Sequence, residues 1–211
     1  MKITKFGHCC LLIEENDLRI LTDPGAYTIE EQEKINHIDV ILITHEHQDH
    51  LHIDSLKVIL KNNSNAKIIT NNSVGKLLDK ENIKHELLIH HNHTTIKEVL
   101  IEAFGEKHEE IYKEYGMVEN TGYFINNKFF YPGDAYTVPG KIVEILALPV
   151  AGPWLKIKDA TEYLKKIKPK YAFPVHDGGI IPGRYGSSHS IPQKTIKEWN
   201  GNFVIEKEME F

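Results

Sequence analysis

Arginine is almost missing from this chain: of 211 residues only Arg19 and Arg184 carry a guanidinium, and the formal net charge is −5 at pH 7. No overall basic field is available to gather a phosphate backbone, which counts against nucleic acid as a partner. Cysteine is nearly as scarce. Cys9 and Cys10 are neighbours that do not readily meet disulfide geometry with each other, and they sit in an apolar, strand-like run, so they read as buried thiols. Long apolar stretches are missing too. No segment approaches the roughly 18 apolar residues of a membrane span, and the opening "MKITKFGHCCLLIEEND" has too short an apolar run for a signal peptide, so a cytoplasmic location without membrane contact is expected. There is no linker rich in Pro, Gly or Ser, no low-complexity tract and no short repeat. A single domain over residues 1–211 is the expectation, and 41% hydrophobic against 26% charged residues is enough for it to fold around its own core.

What is present is an orderly series of short apolar runs. "KITKFG", "CCLLIEE" and "LRILTDPG" are separated by Gly, Asn and Asp, which predicts an antiparallel meander. "HIDVILITHEH" is near-continuously apolar at its centre, as in a strand buried on both faces. Helix-like "SLKVILKN", the strand "AKIIT", a helix in "SVGKLLDKEN" opened by Ser73, and the strand-like "HELLI" follow. The second half repeats the plan: strands in "KEVLIEAFG", "TGYFINN", "KFFYPGD" and "EILALPV", a helix around "DATEYLKKIK" and the strand "YAFPV", with Asn126 and Asn127 at a hairpin bend. Strands and α/β units alternating in two halves fit an α/β protein with two sheets packed face to face and helices outside.

The chemistry concentrates in "THEHQDH", directly behind the apolar run "DVILI". Imidazole nitrogen and carboxylate oxygen both suit zinc and related divalent ions. In the HxHxDH spacing His45 and His47 lie together for one ion, while Asp49 and His50 can turn toward a second. Three more ligand-type residues follow apolar runs and stand near glycine: His108 in "EAFGEKHEE", Asp134 in "FFYPGDA" and His176 in "YAFPVHDGG". Singly, each is also explained as an ordinary polar strand end. Together they make a set of seven.

The order HxHxDH, lone His, "GD", lone His resembles the metallo-β-lactamase-fold hydrolase superfamily along essentially the whole chain. "FGHCCLLIE", "ILTDPG", "THEHQDH", "YPGDA" and "FPVHDGG" are most similar to the branch containing the ascorbate-6-phosphate lactonase and other zinc-dependent hydrolases. The resemblance implies a four-layer αβ/βα sandwich with two divalent ions at the seam between the sheets, zinc first, with manganese, iron and nickel also compatible. His45, His47 and His108 would hold one ion, Asp49, His50 and His176 the other, and Asp134 would bridge them. Asp49 would also act as general acid/base. His108 lies in "GEKHEE" rather than in the setting of true lactamases, which speaks against lactam hydrolysis. Relatives in the branch leave assembly into a homo-oligomer open.

Further residues are candidates for orienting ligands or lining the site. Asp23 could accept the second N–H of a ligand histidine, and a plain turn before Pro24 explains it equally well. His8 and His189 match histidine positions of the branch, although a packed or solvated histidine is the commoner role. Arg184 could grip a substrate anion from the loop "GGIIPGRYGSSHS", or simply be exposed. Trp154 could wall the pocket or pack in the core. "HHNH", His90 to His93, reads as a solvated loop.

The expected function is hydrolysis of a small anionic ester, lactone or phosphodiester. A nuclease would need basic surface that the composition does not supply. A di-iron redox protein would carry Glu at the place of His47 and a flavin domain beside it.

Overall fold

A computed structural model of the protein describes every residue except Gly116. The first half runs β1 (Lys2–Gly7), β2 (Cys10–Glu15), β3 (Leu18–Thr22), α1 (Ile29–Gln32), β4 (Val40–Leu42), α2 (Ile53–Asn62), β5 (Lys67–Thr70), α3 (Asn72–Lys80) and β6 (Glu86–Leu87). The second half runs β7 (His93–Ile96), β8 (Val99–Phe104), β9 (Gly122–Ile125), β10 (Phe129–Tyr131), β11 (Ile145–Pro149), α4 (Ile157–Ile167), β12 (Tyr171–Val175), α5 (Ser187–Thr195), a 3₁₀ turn at Ile196–Trp199, β13 (Asn202–Phe203) and β14 (Glu208–Glu210).

The described residues form two seven-stranded sheets, in the orders β14-β1-β2-β3-β4-β5-β6 and β13-β12-β11-β10-β9-β8-β7. Each is built the same way. Strands paired antiparallel occupy one side, β8 and β9 being separated by the long segment 105–121, and three consecutive parallel pairings occupy the other, so the parallel portion of each sheet lies toward one edge.

Alternation of side chains along the strands makes the layers. Val40 and Leu42 of β4 face the second sheet, where they share a core with Phe129, Tyr131, Ile145, Ala147 and Phe173. Ile41, one residue over, packs outward with Leu56 and Ile59 of α2 and Val74 and Leu78 of α3. Across the molecule Phe130, Leu146 and Ala172 pack outward with Tyr163 and Leu164 of α4 and with Ile196. The order helix, sheet, sheet, helix is thus the αβ/βα sandwich expected from the sequence. The hairpin bend falls on Asn126 and Asn127, both with positive φ (51° and 52°), as a primed turn demands.

Some expectations need correction. The helix at "SVGKLLDK" is capped by Asn71, whose side chain accepts from Val74 N–H, and not opened by Ser73. Ser187 to Ser190, read as part of a loop, open a helix that runs to Thr195, and His93 opens β7 instead of lying in a loop. Strands β13 and β14 escaped notice because two- and three-residue strands carry no readable period. Among the described residues, no helix is long and apolar enough to cross a membrane.

Candidate metal centre

Five strand ends converge on one spot. Asp23 follows β3, Thr44 and His45 follow β4, His108 lies beyond β8, Asp134 follows β10, and His176 follows β12. The ends are tied together across the seam: Thr121 N–H donates to Thr44 O at 3.0 Å, and the Tyr123 hydroxyl donates to Ile43 O at 3.0 Å. The "PG" after Asp23 has its own reason. A β-carbon on Gly25 would stand 1.8 Å from the Asp49 carbonyl oxygen, so only glycine lets this turn press against the HxHxDH loop.

The seven residues expected to act together are brought together. Ligand-type atoms of His45, His47 and His108 lie within 4.8 Å of one another, and so do those of His8, Asp49, His50 and His176. Asp134 stands between these groups: its Oδ2 is 2.8 Å from His176 Nε2 and 3.3 Å from His108 Nε2, and its Oδ1 is 3.2 Å from His50 Nε2. Asp134 is only 2% exposed at its side chain, whereas Asp49 is 27% exposed.

Hydrogen bonds at the far side of the rings decide which nitrogen is free. His50 Nδ1–H donates to Asp23 Oδ2 at 2.7 Å, His45 Nδ1–H to the Thr44 hydroxyl at 3.0 Å, and His108 Nδ1–H to Glu109 O. The Thr44 hydroxyl in turn donates a hydrogen bond to Asp23 Oδ2 at 2.7 Å. Each ring therefore offers a bare Nε2 lone pair to the centre. Those three Nε2 atoms and Asp134 Oδ1 are buried with no hydrogen-bond partner. Orphaned buried acceptors cost free energy, and a divalent ion bound by imidazole and carboxylate is the species that fits such a donor set.

The electrostatics agree. Burial, reinforced by neighbouring His50, holds His45 well below the ordinary imidazole value, and burial with His108 lowers His47, so both are neutral and ready to ligate. Burial pushes His50 and His176 down as well, but the Asp134 carboxylate facing them outweighs it and raises both. Burial likewise raises Asp134 and Asp49, yet the surrounding histidines hold both carboxyls below the usual range. Carboxylates drawing protons onto facing imidazoles mark where a cation is called for, and metal and proton compete for the same nitrogens.

Of the weaker candidates, Asp23 is fully buried and gathers His50, the Thr44 amide and hydroxyl, and the Tyr131 hydroxyl. Trp154 Nε1–H donates to Asp134 Oδ2 at 2.9 Å, and its ring meets His108 and His176 edge-on, so it walls the site. His8 lies against Asp49, with Nε2 3.1 Å from Oδ2. Two candidates make no hydrogen bond or ion pair to the clustered ligands among the described residues. Arg184 is exposed, and its guanidinium makes no ion pair or hydrogen bond among the described residues. His189 is carried on α5, stacked on Tyr185 and 3.5 Å from Asp177, not at the centre. Missed altogether were Thr44, Tyr131, Tyr27 stacked on His8, and Cys9, whose thiol approaches His50 and Asp134. The lone signal for these was adjacency to recognised motifs. A cavity of about 700 Å³ beside β5, β6 and α3 contains none of the clustered residues.

A family model for the β-lactamase superfamily domain matches residues 2–176. The protein Rv0786c of Mycobacterium tuberculosis is 33% identical over 195 residues, covering 88% of each chain. A UPF0173 metal-dependent hydrolase of Carboxydothermus hydrogenoformans is 31% identical over 201 residues, 83% of this chain and 84% of its own. Igni18, a metallo hydrolase from the hyperthermophilic archaeon Ignicoccus hospitalis, shares the fold with a TM-score of 0.78 at 19% identity, over 100% of this chain and 98% of its own.

Proposed function

The chain belongs to the β-lactamase superfamily, as a metal-dependent hydrolase of the metallo-β-lactamase fold, and from that premise we propose that it holds two divalent ions and cleaves a small anionic ester, lactone or phosphodiester. His45, His47 and His108 would hold one ion, Asp49, His50 and His176 the other, with Asp134 between them. Zinc suits this set of imidazoles and carboxylates, and manganese, iron or nickel would also be accepted. The observation that carries the reading is the set of buried, unpartnered Nε2 atoms of His45, His50 and His108 aimed at Asp134.

Ions bound there would supply a water of lowered pKa and polarise the carbonyl or phosphoryl oxygen under attack. The protein's own part is positional. Asp23 and Thr44 fix the rings of His50 and His45 from behind. Trp154 keeps its hydrogen bond on Asp134 and excludes water along one wall. Asp49, the exposed carboxylate of the two, is the group that can orient the attacking water and then carry its proton to the leaving group. Two dications against two carboxylates and one hydroxide leave about one positive charge by formal count, so the centre itself favours an anionic substrate.

Metal-analysed protein screened against lactones, phosphodiesters and thioesters tests the reading, with Asp49→Ala assayed at saturating metal as control. We expect turnover of one class, lost by at least about a hundredfold in the variant. Full turnover and full metal content in Asp49→Ala would remove Asp49 from its role, and absence of any metal-dependent hydrolysis would count against the reading.

A further inference from the structure

His8 stands within reach of Asp49, His50 and His176 and so has the position of one more ligand for the second ion. Its hydrogen bonds say otherwise. Gly178 N–H points at His8 Nδ1 at 3.0 Å. A backbone amide can only donate, so Nδ1 must present its lone pair, and the single proton of the neutral ring must sit on Nε2. That nitrogen faces Asp49 Oδ2 at 3.1 Å, and the ring therefore donates to the carboxylate. The arrangement is the reverse of His45, His50 and His108, whose Nδ1–H groups donate outward and leave Nε2 bare.

We propose that His8 is a positioning residue, a hydrogen-bond donor that fixes the Asp49 carboxylate, and not a metal ligand. The inference rests on the two-ion reading for what Asp49 is positioned to do. Making Nε2 a ligand would move the proton to Nδ1 and bring two donors face to face at 3.0 Å, leaving the Gly178 amide unpaired. A carboxylate oxygen has more than one lone pair, so Asp49 can accept from His8 and still serve the ion.

The ring has little freedom to choose differently. His8 O accepts from His176 N–H at 3.1 Å, and Tyr27 stacks on the imidazole with centroids 4.5 Å apart and 16° between planes. Glycine at 178 is required for this packing, because a β-carbon there would lie 2.7 Å from Tyr27 and 2.9 Å from His8 Nδ1. The clamp is also well placed. The stretch after β12 delivers His176 to the metals and, two residues later, the amide that sets the His8 tautomer.

Nitrogen NMR of the zinc-loaded protein, with ¹⁵N in its histidines and His8 assigned by its absence in His8→Gln, reads the tautomer directly. We expect His8 to show a protonated Nε2 and an unprotonated Nδ1. A metal-bound Nε2 without a proton overturns the proposal. Chelator competition supplies a second readout: His8→Ala should still bind two ions at saturation but hold the second about 10–100-fold more weakly. His8→Gln, whose amide can again donate to Asp49, should recover most of that loss. Equal loss in both variants overturns the donor role. Failure of hydrolysis with the tautomer as expected would count against the proposed function and leave this inference standing.

Discussion

His8, Asp23 and His176 each end a strand and each hold a left-handed backbone, with φ of 46°, 38° and 59°. For residues with a β-carbon that conformation costs of order 1–2 kcal/mol, and it persists where surrounding contacts over-determine it. Here the left-handed residue breaks the strand's alternation and swings a functional side chain into the seam. Cys10, by contrast, takes no part in the chemistry. Its thiol faces the helices, and burial, foremost, pushes it from an ordinary 9.0 up to about 12. Below about pH 9 both folded and unfolded chains keep the proton, so nothing is lost. Above it only the unfolded chain releases the proton, and the difference grows to roughly 4 kcal/mol by pH 12. Urea denaturation from pH 8 to 11 should therefore show a decline in stability that is shallower in Cys10→Ala than in the parent. Parallel declines would rule out the thiol as its source.

At the scale of an element, α3 does two jobs through its cap. Asn71 accepts from Val74 N–H at 3.1 Å, and its Nδ2–H donates to Thr44 O at 2.8 Å, the carbonyl just before His45. Replacing Asn71 with Ala removes a cap worth about 1 kcal/mol and one of the two hydrogen bonds on Thr44 O, worth about 0.5–1.5 kcal/mol more, while the Thr121 amide keeps donating to that carbonyl. Asp at this position keeps the cap but cannot donate. Thermal denaturation should thus rank the parent above Asn71→Asp and that variant above Asn71→Ala. An Asp variant as stable as the parent would show that the Thr44 bond is unimportant. Such double use explains why Ser73 looked like the start of this helix: both residues are good caps, and only the fold turns Asn71 toward Thr44.

Over the whole molecule the two sheets share a core in which Phe129 of β10 and Phe173 of β12 stack 5.9 Å apart, and the seam carries the histidines at one end of that core. Ions that bind folded protein alone stabilise it, by about 2.7 kcal/mol at a free concentration a hundredfold above Kd. Stripping with chelator should lower Tm by several degrees, and adding zinc back should restore it. A Tm indifferent to both steps would argue against ions at the buried Nε2 atoms.

Much of this was legible in the chain itself. Apolar runs of strand length, each ending in His or Asp, announce strands and ligands together, because a strand buried on both faces can place polar side chains only at its ends. HxHxDH, His108, Asp134 and His176 could be assembled in order from that pattern, and the layered fold followed from alternating strands and α/β units. What the sequence could not determine was direction. Whether Arg184 points at the centre, whether Asp23 serves a turn or a histidine, and whether His8 gives or receives a hydrogen bond depend on partners far away in the chain. Asp23 meets Tyr131 108 residues on, and His8 meets the Gly178 amide 170 residues on. Local pattern carries burial and periodicity, but a proton's place on an imidazole is set by what faces each nitrogen, and only the tertiary structure decides that.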